Sequence, residues 1–150
     1  MKNLIFVFIL YATLLTVNAV PHQFDKRATT FIPCPDDLPS PNVIMTPDPL
    51  VAGQSARFNV SGTLYNDLVA NIADLRIRFI DSTRKTLIVN PYYQLFNESF
   101  PRFTPFSIVA QKVDVPSNLT SKYTIEVVIE AKELDDIYGC SMADGKKINS

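Results

Sequence analysis

Histidine is all but missing from this chain: His22 is the only one among 150 residues, tryptophan is absent, and there are two cysteines and four glycines. Past residue 22 no imidazole can activate a nucleophile, carry a proton or hold a metal. No basic run exceeds a pair, so nothing in the chain could neutralise a row of phosphates, and nucleic-acid binding is not expected. The lack of tryptophan excludes the Trp-pinned core of antibody domains. Carboxylates are present, as Asp36-Asp37, Asp135-Asp136 and the Glu126/Glu130/Glu133 group. Their turn and strand-exposed positions read as solvated faces, not as the facing pair that hydrolyses glycosides. The expectation is a protein that is not an enzyme and that carries no cofactor and no metal.

The first residues read as an address. Met1-Lys2-Asn3 is a short positive start, and residues 4–17 follow without a charge. That run is shorter than the roughly 18 residues a membrane span needs, and Val17 and Ala19 fit a small-x-small cleavage site, so 1–19 is expected to be a signal peptide. Asp25-Lys26-Arg27 then places a dibasic pair in a polar stretch. Residues 20–27 are either a propeptide removed after Arg27 or an ordinary solvated segment. The domain proper is 28–150, 123 residues with 14 acidic and 11 basic side chains, for a formal charge of −3.

Cys34 and Cys140 stand near the two ends of that domain. In an oxidising compartment such a pair is expected to form a disulfide that encloses nearly the whole domain. The sequons at Asn59, Asn97 and Asn118 agree with a glycosylated, secreted surface. Both features place the protein in the secretory pathway, as an extracellular or vacuolar/lysosomal resident.

The body of the chain reads as strands. Proline at 33, 35, 39, 41, 47 and 49 opposes helix at the entry, and short β-branched or aromatic runs alternate with turn clusters thereafter. Strands are expected over 42–46, 56–64, 75–80, 106–115, 123–131 and 135–142. Residues 85–90 and 92–96, divided by Pro91, form one bent edge strand or two pieces. Leu75, Ile77 and Phe79 share one face and Arg76 and Arg78 the other, while Tyr123, Ile125, Val127 and Ile129 face in with Thr124, Glu126 and Glu130 out. The apolar parity of 106–115 shifts between Ala110 and Val113, which predicts a bulge near Gln111-Lys112. Seven or eight short strands in about 120 residues predict an all-β, immunoglobulin-like two-sheet antiparallel sandwich, with a closed barrel as the alternative.

Two stretches carry a family resemblance: "GQSARFNVSGTL" from Gly53, and "VDVPSNLTSKYTIEVVIEAKELDDIYGCS" from Val113, with its valine-proline step, tyrosine-led strand and final cysteine. With the leader, the early cysteine and the proline-rich turn, they resemble the ML lipid-recognition domain family over roughly residues 34–141. The likeness is greatest to fungal phosphatidylglycerol/phosphatidylinositol transfer proteins and to the Niemann-Pick type C sterol carrier. The interior cysteine-proline step of that family is replaced here by Thr104-Pro105, so only the outermost family disulfide, Cys34 with Cys140, is available.

The resemblance implies sheets splayed around an apolar cavity and a monomeric carrier that moves phospholipid or sterol between membranes, touching their surfaces transiently. The lipid-lining candidates are the inward alternates Phe58, Val60, Ile77, Phe79, Phe106, Ile108, Ile125, Val127 and Ile129, which suit an ordinary packed core as well. Phe96, Phe100, Phe103 and Phe106, interrupted by Pro101 and Pro105, suit a mobile gate or a membrane-touching rim at the cavity mouth, or buried loop anchors. Arg102 and Lys112 could meet an anionic headgroup there. An immunoglobulin-like recognition module with a filled core is the other reading.

Intact-mass measurement of secreted protein separates the two processing schemes. A chain beginning at Ala28 is the outcome expected of a cut dibasic site, and one beginning at Val20 excludes the propeptide.

Overall fold

The alternation of apolar side chains at every second residue gives each strand one face that must leave water, and two sheets satisfy this by packing those faces together. The computed structural model describes residues 28–131 and 136–146. Over them the protein is an all-β sandwich with no helix. Its strands are β1 (Ile32–Pro33), β2 (Asn42–Thr46), β3 (Ser55–Thr63), β4 (Asp74–Asp81), β5 (Tyr92–Leu95), β6 (Pro105–Asp114), β7 (Lys122–Ala131) and β8 (Asp136–Lys146). One sheet runs β1-β8-β7-β4-β5 and the other β2-β3-β6, with every pairing antiparallel. The expected signal peptide and dibasic site lie outside the described residues, as do Glu133 and Asp135.

The bulge expected in β6 is present. Ala56 pairs with Val113 but Phe58 with Ala110, so Gln111 and Lys112 together oppose the single Arg57. The extra residue lets Phe106, Ile108 and Ala110 on one side of it and Val113 on the other all point into the core.

Three expectations are corrected. Residues 85–90 form no strand beyond a single bridge between Leu87 and Ile80. The Asp81 carboxylate explains this, because it accepts the amides of Thr83, Lys85 and Thr86 and so folds the segment into a turn. The last strand runs four residues beyond Met142, to Lys146, because β7 offers it partners along its whole length. Finally, the charged face of β4 and β7 is not simply solvated. Arg76 pairs with Glu130 at 3.0 Å, with side chains 17% and 6% exposed, and Arg78 pairs with Glu126 beside it.

Part of that face, around Val128 and Met142, is covered by the segment leading into β2. Cys34 is bonded to Cys140, and Leu38 packs with Val128, Met142 and the disulfide in a small second core on the outside of the five-stranded sheet. Further along, the Cys140 amide donates to the Pro39 carbonyl and the Ser141 hydroxyl to the Pro41 carbonyl. Gly139 is needed where the strap crosses, since a Cβ there would lie 2.8 Å from Leu64 and 3.0 Å from the Pro39 carbonyl.

The disulfide joins residues 106 apart in sequence. Loop-closure entropy for a ring of that size corresponds to about 4–5 kcal/mol. Replacing both cysteines by alanine should lower the stability read from urea unfolding by that order; an unchanged midpoint would show that the strap holds without its covalent anchor.

Candidate functional site

The interior between the sheets is walled by all nine side chains that the alternation singles out. Phe58 and Val60 come from β3, Phe106 and Ile108 from β6, Ile77 and Phe79 from β4, and Ile125, Val127 and Ile129 from β7; none is more than 8% exposed. They belong to one continuous apolar cluster that also takes in Val43 and Met45 of β2. The buried polar side chains of the described residues keep away from its centre. Asp74, Thr124 and Glu130 pair across strands on the outer face of the larger sheet, and Ser141 is tied to the strap at the β8 flank.

The two flanks of the sandwich are closed differently. On the β8 side the strap closes the gap, through the Cys140 amide on the Pro39 carbonyl and the Ser141 hydroxyl beside Ser40 and Pro41, while the disulfide anchors the strap on the outer face. On the β5–β6 side, among the described residues, the bond found between the strand edges is that from Gln94 Nε2 to the Val109 carbonyl, 3.3 Å, with Gln94 Oε1 in turn accepting the Tyr92 hydroxyl at 2.8 Å.

One end of the sandwich is aromatic. The loops 64–73 and 96–104 are tied by reciprocal Leu68–Phe100 backbone bonds of 2.8 Å and by the Asn71 amide on the Phe96 carbonyl and the Phe103 amide on the Leu64 carbonyl, also 2.8 Å. The four phenylalanines divide. Phe96 and Phe106 are buried and Phe100 half-buried, with their rings edge-on at centroid distances of 6.0–6.4 Å. They anchor the loops under the core. Phe103 alone stands out, 65% exposed, at a left-handed φ of 62° that bulky side chains adopt at a cost of about 1–2 kcal/mol. Its ring lies 5.9 Å from that of Tyr65, which is equally exposed. Tyr65 was not singled out from sequence, because one aromatic in a polar turn has no periodic signal.

Arg102 is exposed beside Phe103, its amide donating to Asp67 at 2.7 Å. Lys112 is exposed too, but it sits at the β6 bulge near the opposite end of that strand, so the two cations do not share a mouth. The sequons also differ. Asn97 and Asn118 are in exposed turns, whereas Asn59 is half-buried in β3 and its side-chain oxygen accepts the Ser107 hydroxyl.

At the other end a pocket of about 550 Å³ lies among Thr29, Pro49, Arg84, Tyr123, Asp144 and Lys146, with one of about 310 Å³ beside it. None of the nine wall residues lines either. Thr29 is held there by the Asp48 carboxylate through its amide at 2.7 Å and its hydroxyl at 2.6 Å. Cys34, Cys140 and Glu126 also converge on the outer face, but the sulfurs are bonded to each other, which leaves no thiolate for a metal. The disulfide is compatible with an oxidising secretory-pathway compartment, and no helix among the described residues is long and apolar enough to cross a membrane.

No protein-family model matches the chain, and no curated protein matches it in sequence.

Tyr123 closes the core at the pocket end, 2% exposed, with its ring lying over Gly145 where any Cβ would collide with it. Burial, and secondarily the charge of Asp48, raise its hydroxyl above the ordinary tyrosine range. Below about pH 10 the phenol is neutral whether the chain is folded or not; above it the unfolded chain ionises first, so stability falls as pH rises toward the raised folded value. Tyr123→Phe should make the alkaline loss of stability shallower. Urea midpoints measured across pH 9–12 check this, and an unaltered slope would place the loss elsewhere.

Proposed function

We propose that this protein is a carrier for an apolar ligand, a phospholipid or a sterol, whose hydrophobic part it encloses between the two sheets. The observation that carries the reading is the asymmetry of the sandwich. A continuous apolar interior is closed on one flank by a strap with a covalent anchor and, among the described residues, latched by the Gln94 side chain on the other. Parting β5 from β6 sacrifices little hydrogen bonding and gives an acyl chain or sterol ring access to side chains of both sheets. Each methylene that leaves a bilayer for water costs about 0.8 kcal/mol and each one enclosed between the sheets recovers that amount, so a carrier must enclose most of the tail.

The exposed Phe103–Tyr65 pair supports contact with a membrane, since aromatic side chains with one apolar and one polar part favour the headgroup level. The sequence resemblance to ML-type carriers points the same way. On this reading the protein is a lumenal or secreted transporter and performs no covalent chemistry.

A second reading, an immunoglobulin-like recognition module with a filled core, draws on a specific observation. All nine wall residues are buried against one another, and the two pockets described above lie outside them. The readings separate in a vesicle assay. Delipidated protein should move a fluorescent phospholipid or sterol from donor to acceptor vesicles, and Phe103→Ser should slow that transfer several-fold without altering the fold. Protein that neither binds nor moves either lipid is a recognition module.

A further inference from the structure

A sandwich has four strand edges, each offering unpaired backbone donors and acceptors to any extended chain that meets it, and proteins blunt such edges. Three of the four are blunted here. β1 has two residues, of which Pro33 has no amide hydrogen to give. β6 begins at Pro105, bulges at Gln111-Lys112, carries an exposed lysine at that bulge and already has the Val109 carbonyl occupied by Gln94. β5 is four residues long, follows Pro91, and leans on β6 through that same bond.

The edge of β2 is also short and flanked by proline, but among the described residues no bulge interrupts it and no bond latches its backbone to the other sheet. Asn42-Val43-Ile44-Met45-Thr46 carries no charge, pairs on one side with β3 in unbroken register, and is paired by no described strand on the other. Ile44, the central residue, turns its side chain out of the sandwich and is 58% exposed. Pro41 and Pro47 bound the strand at both ends, so a pairing can be five residues long and no longer.

We propose that the open edge of β2 pairs antiparallel with β2 of a second copy of this chain, joining two three-stranded sheets into one of six strands. The segment suits itself as a partner. A two-fold axis at Ile44 sets Asn42 against Thr46 and Val43 against Met45 of the second copy, brings no like charges together, and keeps Val43 and Met45 of both copies facing their own cores. Only one such edge exists per molecule among the described strands, so the contact closes as a dimer and does not propagate. Five residues per copy bury far less than the roughly 1,000 Å² of a stable interface, which makes the dimer weak and concentration-dependent. It departs from the monomer expected from sequence, and it is independent of ligand: β2 lies on the strap flank, away from the Gln94 latch and the Phe103 end.

Sedimentation equilibrium of the full secreted chain from about 10 µM to 1 mM tests the pairing. The wild type should pass reversibly from monomer to dimer, and amide exchange within 42–46 should slow as concentration rises. Ile44→Lys, a surface change expected to leave the circular dichroism spectrum and melting temperature alone, should weaken association at least tenfold by placing two ammonium groups side by side. A wild type that stays monomeric throughout overturns the proposal. So does a dimer indifferent to Ile44→Lys, or a β2 edge that is protected only by an added unrelated extended peptide.

Discussion

Strand β7 is buried on both faces, and the rest of the molecule is arranged around that constraint. Its inward alternates Tyr123, Ile125, Val127 and Ile129 supply the floor of the core, while its outward alternates Thr124, Glu126, Val128 and Glu130 are themselves shielded from water. A carboxylate in such a place must be paired, and Arg76 and Arg78 of β4 stand near enough across the ladder to do it. Breaking one partner of a pair of this kind costs about 3–5 kcal/mol, whereas the intact pair adds little net stability. The ion pairs therefore fix register more than they stabilise: sliding β4 by one residue against β7 would strand two charges and turn Leu75, Ile77 and Phe79 outward.

Shielding that outer face around Val128 and Met142 requires a cover, and the strap from Cys34 to Pro41 is it. Once anchored at Cys140, the strap delivers the chain to the other sheet at β2, so the disulfide both protects the face of β7 and closes one flank of the sandwich. Among the described residues the opposite flank has no equivalent, and this difference gives the molecule a direction. The ends differ as well, one bearing tied aromatic loops with Phe103 and Tyr65 projecting, the other a pocket of mixed lining that includes Ile32, Met142, Arg84 and Asp144.

Much of the sandwich was legible in the sequence because period two is a strong signal when one face is apolar. Leu75-Arg76-Ile77-Arg78-Phe79 announces its pleat, β2 is found at its expected bounds, and the parity slip in 106–115 located the bulge to the residue pair. What was not legible depends on contacts distant in sequence. Nothing local to Glu130 says that Arg76 will face it, and nothing local to Val128 says that a strap will cover it. Residues 85–90 have strand-like composition, yet the Asp81 side chain, a few residues away, takes the amides a strand would need. The phenylalanines of 96–106 look alike in sequence; the backbone bonds between two loops decide that three are anchors and one projects. The nine interior positions were read correctly as inward, but pattern alone makes no distinction between a wall and a filling.

Native mass spectrometry of protein purified under native conditions from its own expressing cells separates a wall from a filling directly. A carrier should show a population heavier than the polypeptide, with any glycans it bears, by one phospholipid or sterol that is released on denaturation and identifiable in the extract. A spectrum containing only ligand-free protein, from cells whose membranes supply both lipid classes, would contradict the carrier role.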